Sequence, residues 1–290
     1  MGTRSTATGL VYPTEMVLRA CGVARSSFSS WRRSRPPLLG KRGPKAAISD
    51  QQLLVGIRRV LSDSQFHGEG YRKVWARLGL KVGRNRVLRL MRQNNLLAPT
   101  RIRHQHGPKA HDRSIRTAQP NQIWGTDGTR FETEEDGWVW FFAAIDHCVH
   151  DIVGWHVTKV GDRFAALEPV RQGVSRHFAQ IGADVARGLS LRHDHGSQYM
   201  SRDFLGEVKF LGIRSTPTFV GEPQGNGIAE RFMRTLREQC LYRQRFHDVA
   251  QAREVIGRFI EAYNADWLLQ RHGHHTPNQV RASFVSSPAA

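Results

Sequence analysis

The feature that most constrains this fold is a change of hydrophobic period near Gln122. Upstream, apolar residues recur three and four apart. Downstream they fill Ile123–Phe131, Trp138–Ile145 and Ile152–Val160, short runs rich in β-branched and aromatic residues. Glu134-Glu135-Asp136-Gly137 supplies the first turn and His147 to Asp151 the second, so the three runs predict an antiparallel meander. Asp162 can cap a helix over 163–178, with Pro169 leaving its register open. A fourth strand (Leu189–Arg192), a helix (Ser201–Leu211) and a fifth strand (Ile213–Thr216) come next. After a Gly/Pro-rich loop (Thr218–Gly225), a long helix begins near Asn226, and a final helix (Asp248–Tyr263) precedes a His/Pro-containing tail. Three strands followed by alternation describe an α/β domain over 121–285, a mixed sheet flanked by helices.

The region before it reads as two small all-α units. Within 1–35, Met16, Val17 and Ala20 give one apolar stripe, Cys21-Gly22-Val23 a turn, and Phe28 with Trp31 the inward side of a second helix, the spacing of a helix-turn-helix. A Pro-rich basic linker covers 36–47. In 48–97, Leu53, Leu54, Ile57, Val60 and Leu61 mark one helix, Tyr71, Val74, Trp75 and Leu78 a second ending near Gly79, and Val82, Val87, Leu90 and Met91 a third. That third helix carries Arg84, Arg86, Arg89 and Arg92, the pattern of a groove-reading element or of an ordinary solvated face. Arg72, Lys73, Arg32 and Arg33 join them as candidate DNA contacts. A second basic linker spans 98–120, and its histidines (His104, His106, His111) lack metal-ligand spacing.

Charge divides the chain at the same place. Residues 1–120 hold 24 Lys and Arg against 5 Asp and Glu, whereas 121–290 hold 19 against 20. The whole net charge of +18 therefore belongs to the helical part, which points to a polyanion, duplex DNA, as its partner. No apolar run reaches the ~20 residues of a membrane span. Three scattered cysteines (Cys21, Cys148, Cys240) build neither a disulfide framework nor a zinc site, and with no signal-peptide pattern at the N-terminus they indicate a reducing cytoplasm.

Three carboxylates fall where elements present side chains near a sheet edge: Asp127 in the first strand (WGTDGT), Asp194 where the fourth strand ends (LRHDHGSQY), and Glu230 one turn into the long helix (GNGIAERF). Adjacent strands can juxtapose the first two, and a helix packed on the sheet can add the third. Carboxylate-only oxygen sets suit hard divalent ions, above all Mg²⁺. A pair of such ions ~4 Å apart serves in-line displacement at phosphorus.

These segments, with GWVWFFAAIDHCVHDIVGWHV, GEPQGNGIAERFMRTLREQ and YNADWLLQRHGHHTPNQV, resemble the DDE transposases of the retroviral-integrase superfamily. More narrowly, they resemble the catalytic OrfB-type subunit of insertion sequences in the large IS-three group. Upstream, GEGYRKVWARL and VGRNRVLRLMRQNNLLAP are similar to that family's second helix-turn-helix. The resemblance implies an RNase H-like core and two Mg²⁺ ions, with Mn²⁺ as substitute, held by Asp127, Asp194 and Glu230. It also implies 3′-end cleavage followed by strand transfer, a homo-oligomer on DNA, and an upstream DNA-binding product or fusion as a possible partner. One departure is Gly225-Asn226-Gly227, where many members have an Asp-Asn-Ala-like run before the Glu.

Glu230, Arg234 and Arg237 share one helix face, which fits either an intrahelical ion pair or arginines laid along DNA backbone. Asp146 reads as a strand-end residue bonded to backbone, with a role at the site's edge as the alternative; Asp151 and Asp162 read as turn and cap residues, His193 and His195 as solvent-facing loop histidines or else as groups that orient DNA or a metal-bound water, and His272, His274 and His275 as a polar loop. Trp124, Trp138, Trp140 and Trp155 are expected to fill the core of the sheet. Two rivals remain at this level: a DNA-binding regulator with an inert core, and a metal-dependent nuclease without strand transfer.

Overall fold

The computed structural model describes residues 2–32, 47–99, 117–218 and 226–285. The chain forms two compact units, 1–49 and 50–290. In the first, an antiparallel ribbon of β1 (Gly2–Arg4) and β2 (Val11–Pro13) precedes α1 (Thr14–Ala20) and α2 (Arg25–Arg32). The two helices match the sequence reading, but the ribbon does not feature in it. Nor does Trp31 face inward: it is 81% exposed, and Leu18 is the unit's buried apolar side chain among the described residues. So short a unit has too few partners to cover an indole.

The second unit begins with α3 (Asp50–Asp63), α4 (Tyr71–Leu78) and α5 (Arg84–Gln93). Leu53, Ile57, Val74, Val87, Leu90 and Met91 converge in their core. Gly79 ends α4 in the left-handed conformation, where a residue without Cβ is unstrained. This helical bundle is fastened to the C-terminal part of the chain. Arg77 forks onto buried Glu69 at 2.7 and 2.8 Å and donates to the Asp266 carbonyl at 2.8 Å. The Lys73 ammonium lies 3.0 Å from the centroid of the Trp267 ring.

The α/β part holds a five-stranded sheet of order β5-β4-β3-β6-β7. Its strands are β3 (Ile123–Thr133), β4 (Gly137–Asp146), β5 (Ile152–Thr158), β6 (Ser190–His193) and β7 (Arg214–Pro217). The meander β3-β4-β5 is antiparallel as expected, while β6 and β7 run parallel to β3. This mixed sheet with helices on its faces is the expected RNase H-like architecture.

The strand alternation assigns each face its own layer. On one face, Trp124, Phe142, Ala144 and Leu191 pack with α6 (Arg163–His177) and α7 (Arg202–Phe210). Asp162 caps α6 by accepting from Ala165 N, as its position suggested, and Ser201 caps α7 in the same way. Pro169 lies inside α6 without ending it, and its carbonyl rests where a Cβ on Gly154 would stand. On the other face, Phe131, Val139, Phe141, Ala143 and Ile145 meet α8 (Gly227–Gln239) and α9 (Val249–Asp266).

Three expectations need correction. The helix over Asp248–Tyr263 is not the final one, since α10 (Pro277–Val285) follows it in the tail. Trp124 is fully buried, but Trp138 is 58% exposed beneath the guanidinium of Arg130, because its strand position faces solvent. Asp151 is more than a turn residue: Arg281 of α10 grips it at 2.6 and 2.8 Å and reaches Asp146 at 3.2 Å. Asp146 itself accepts backbone donors from Asn121 and Cys148, as a strand-end carboxylate should.

Candidate active site

Odd-numbered residues of β3 face α8, so Gly125, Asp127, Thr129 and Phe131 form a single row. At the Phe131 end the row is apolar; at the Gly125 end it is polar. Beside it runs β6, whose register pairs Arg192 with Gly125 and so places Arg192, and Asp194 two residues on, on the same face. The last paired positions of β3 and β6 are Gly125 and Arg192, so Asp127 and Asp194 each lie two residues beyond that pair.

Asp127 is half-buried and accepts a hydrogen bond from Gly128 N at 2.8 Å. Its carboxyl is pushed up to about 6, chiefly by burial, then by the negative charges of Asp194 and Glu230, with Arg237 opposing. Asp194 is exposed and accepts from Gly196 N at 2.8 Å, which folds the loop back beneath its carboxylate. Glu230 is exposed in the first turn of α8, where the helix dipole favours an acid. Burial nevertheless raises its carboxyl, and the Arg234 charge partly offsets that. Phe232 and Leu236, on the opposite side of α8, are buried against the sheet and fix which face Glu230 presents.

The three acids therefore share one electrostatic neighbourhood. Among the described residues, however, no three His, Cys, Asp or Glu side chains close into a ready metal-binding cluster. As donors they fit a hard divalent ion: all three are carboxylates, and the charges that raise Asp127 are those a cation would neutralise.

Several neighbours were not singled out as site residues in the sequence. Asn226 sits at the N-cap position of α8 without capping it; its Nδ2 donates instead to the Thr126 carbonyl at 2.9 Å. Among the described residues Asn226 Oδ1 and both ring nitrogens of buried His147 have no hydrogen-bond partner, and both groups crowd the place a Cβ on Gly125 would take. Burial, with the charges of Arg192 and Arg271, holds the His147 imidazole down to about 4, so it is neutral near pH 7. Tyr199 is fully buried, stacked on His193, and close enough to Asp127 and Asp194 to feel their charges. His193 is not solvent-facing: it is buried and bonds the Asp194 carbonyl and Ser215 Oγ, each at 2.8 Å. His195 is exposed and meets the Thr218 carbonyl at 2.6 Å. Tyr199, His193, His195 and Asn226 lie within five residues of Asp194 or Glu230 in sequence, whereas nothing in the sequence points to His147.

The arginines assigned to DNA divide. Arg234 is exposed on α8, whereas Arg237 turns inward and donates to Thr129 Oγ1 from Nε (3.2 Å) and Nη2 (2.7 Å). On α5, Arg86 and Arg89 both bind Asp50, Arg84 lies over Trp75, and Arg92 is exposed. Arg72 reaches Gln270 at 3.2 Å, and Lys73 faces Trp267. Arg33 and the side chain of Arg32 lie outside the described residues, as do His104, His106 and His111.

Comparison with known proteins places this geometry. Two models described as "Integrase core domain" match residues 117–223 and 211–277, together more than half of the chain, and an "HTH-like domain" matches 49–104. Among curated relatives, transposase InsD of insertion element IS2A/D/F/H/I/K from Escherichia coli is 28% identical over 240 residues, spanning 79% of this chain and 78% of the relative. InsD of IS2D from strain K12 matches to the same extent. Among solved structures, the simian T-cell lymphotropic virus intasome in complex with PP2A regulatory subunit B56 gamma aligns over 77% of this chain and 74% of its own, at TM-score 0.47 and 17% identity. The HTLV-2 integrase catalytic core with magnesium aligns over 57% and 98%, at TM-score 0.38 and 15% identity. The chain thus carries an integrase core over 117–277 with a helix-turn-helix-like domain before it, and along most of its length it is similar to insertion-element transposases.

Proposed function

We propose that this chain cuts the ends of an insertion sequence and joins them to new DNA, using Asp127, Asp194 and Glu230 as the ligands of two divalent ions, Mg²⁺ or Mn²⁺. The observation that carries the reading is the response of one carboxyl to the other two. Asp127 is held up to about 6 partly by Asp194 and Glu230, residues far from it in sequence. Bound divalent ions would supply the charge that activates a water or a 3′-hydroxyl and stabilises the leaving oxygen at phosphorus.

The chain's own groups do the rest. Asp127 on strand β3, Glu230 in the first turn of α8 and Asp194 after strand β6 would supply the carboxylate oxygens that hold the ions. Arg234, exposed one turn beyond Glu230, meets the scissile DNA backbone. The helical bundle over 48–97 and the unit at 1–35 locate the element ends, with α5 as the groove-facing helix. Two ends must be handled together, so the active species is a homo-oligomer on DNA, with an upstream DNA-binding product or fusion as a further partner. No helix among the described residues is long and apolar enough to cross a membrane. The cytoplasmic nucleoid is the proposed place of action.

The test uses a labelled end-bearing oligonucleotide, a target plasmid and Mg²⁺ or Mn²⁺. Joined product is expected. Cleavage alone would leave the nuclease reading, and neither product would leave the regulator. Asp127→Asn, Asp194→Asn and Glu230→Gln should each reduce cleavage by roughly a thousandfold or more, the scale of losing ~4 kcal/mol of transition-state stabilisation, while sparing DNA binding. Substantial residual activity removes that residue from the ligand set.

A further inference from the structure

We propose that Asn226 and Arg237 are positioning residues, two pins that fix helix α8 on strand β3 and so set the span between Glu230 and Asp127 across which a cation is shared. This rests on the functional reading above and assigns a task to residues that reading leaves idle. On α8 the pins lie on either side of Glu230, four residues before it and seven after. On β3 their acceptors lie on either side of Asp127: the Thr126 carbonyl, one residue before, and the Thr129 hydroxyl, two after. The two carboxylates are thus held inside a four-cornered frame whose corners are hydrogen-bonded.

Each pin has the features of a built contact. Asn226 is 4% exposed and Thr129 6%. An N-cap asparagine ordinarily accepts from the backbone of its own helix. Here the amide crosses to a strand 100 residues away and leaves its oxygen without a partner among the described residues. Forgoing a cap and stranding a buried acceptor are both unfavourable, and the return is a fixed helix origin beside the strand that bears Asp127. Gly125 belongs to the same device. A Cβ there would stand 2.5 Å from Asn226 Oδ1 and 2.6 Å from His147 Nε2, so a larger residue expels the pin. At the other corner the guanidinium of Arg237 binds one hydroxyl from two nitrogens, a geometry lysine cannot copy.

The experiment measures Mn²⁺ binding to the full chain without DNA, by the electron paramagnetic resonance of the free ion. Thermal unfolding and cleavage of an end-bearing oligonucleotide are followed alongside. Asn226→Ala and Thr129→Val should each weaken Mn²⁺ binding roughly tenfold, the usual effect of removing a group that orients metal ligands. The double variant should lose more than either. Unfolding temperature without metal and end-DNA affinity should change little, and high Mn²⁺ should restore much of the cleavage. Gly125→Ala, which keeps the amide but denies it space, should behave like Asn226→Ala. If Asn226→Ala fails to fold, Thr129→Val and Gly125→Ala decide. Wild-type Mn²⁺ affinity in the folded variants overturns the two-pin frame alone, provided the wild-type protein binds Mn²⁺ and cleaves. A wild-type protein that does neither overturns the functional reading and this inference with it.

Discussion

The two faces of the central sheet obey different rules. The face under α6 and α7 is apolar almost from end to end, with Trp124, Phe142, Leu191 and Phe204 closed over by helices. The face under α8 and α9 begins the same way at Phe131 and Phe141, then gives way along one strand to Thr129, Asp127 and Gly125, with Arg192, His147 and Asn226 around them. Polar groups this close to a core are costly unless paired, yet among the described residues the His147 ring nitrogens and Asn226 Oδ1 have no partner. The dry face holds the sheet together; the mixed face gives up stability where the chemistry is proposed.

The largest effect that sharpens this contrast lies at the rim, where buried charges serve the fold. Asp146 and Asp151 are 0% and 4% exposed and share Arg281. Removing the arginine strands two buried carboxylates, so Arg281→Ala should cost about 3–5 kcal/mol in urea unfolding, the range for breaking a buried pair from one side. A cost under ~1 kcal/mol would show that α10 is not held by this contact.

Next is a variant expected to stabilise. Asp127 ionises near 6 when folded against 3.8 for the free group, so the native state binds its proton more tightly than the unfolded state does. Ionisation therefore lowers stability as pH rises from about 4 through about 6, and the loss persists above that. Without divalent ions, Asp127→Asn should unfold at higher temperature than wild type at pH 8, by up to about 3 kcal/mol, and the difference should vanish near pH 3. Equal stability at pH 8 would mean the carboxylate is not strained in the folded chain. The same titration predicts that Mg²⁺ affinity falls with acidification below about pH 6, because the proton competes for the ligand; isothermal titration at several pH values checks this.

The smallest effect concerns the basic helix. Asp50 holds Arg86 and Arg89, whose charges pull its carboxyl down to about 2. Asp50→Asn should leave thermal stability nearly unchanged but tighten DNA binding and steepen its salt dependence, as two more cations reach phosphate. An unchanged slope would mean that α5 meets DNA through other residues.

Local signals told most of the element list. Period-two runs gave the meander, Asp162 and Ser201 marked helix starts, and Gly79 marked a stop, because each acts within a turn or a strand. Asp127, Asp194 and Glu230 could be picked out as candidates since each sits in a recognisable motif at an element's edge. Trp138 was misjudged because a residue's type does not say which face of a sheet its strand position meets. His193 was misjudged because a loop histidine and a buried one look alike until Tyr199 is stacked upon it.

What the sequence by itself determined is whatever depends on neighbours along the chain: periodicity, capping, the basic helical part and the acidic residues suited to a hard cation. Only the tertiary structure decided that Asn226 reaches Thr126, that Arg237 serves Thr129, and that Arg281 binds Asp146 and Asp151. Each of these contacts joins residues roughly 100 or more apart. Their energy depends on angstrom-scale approach between packed elements, and no local pattern of residue types encodes that distance.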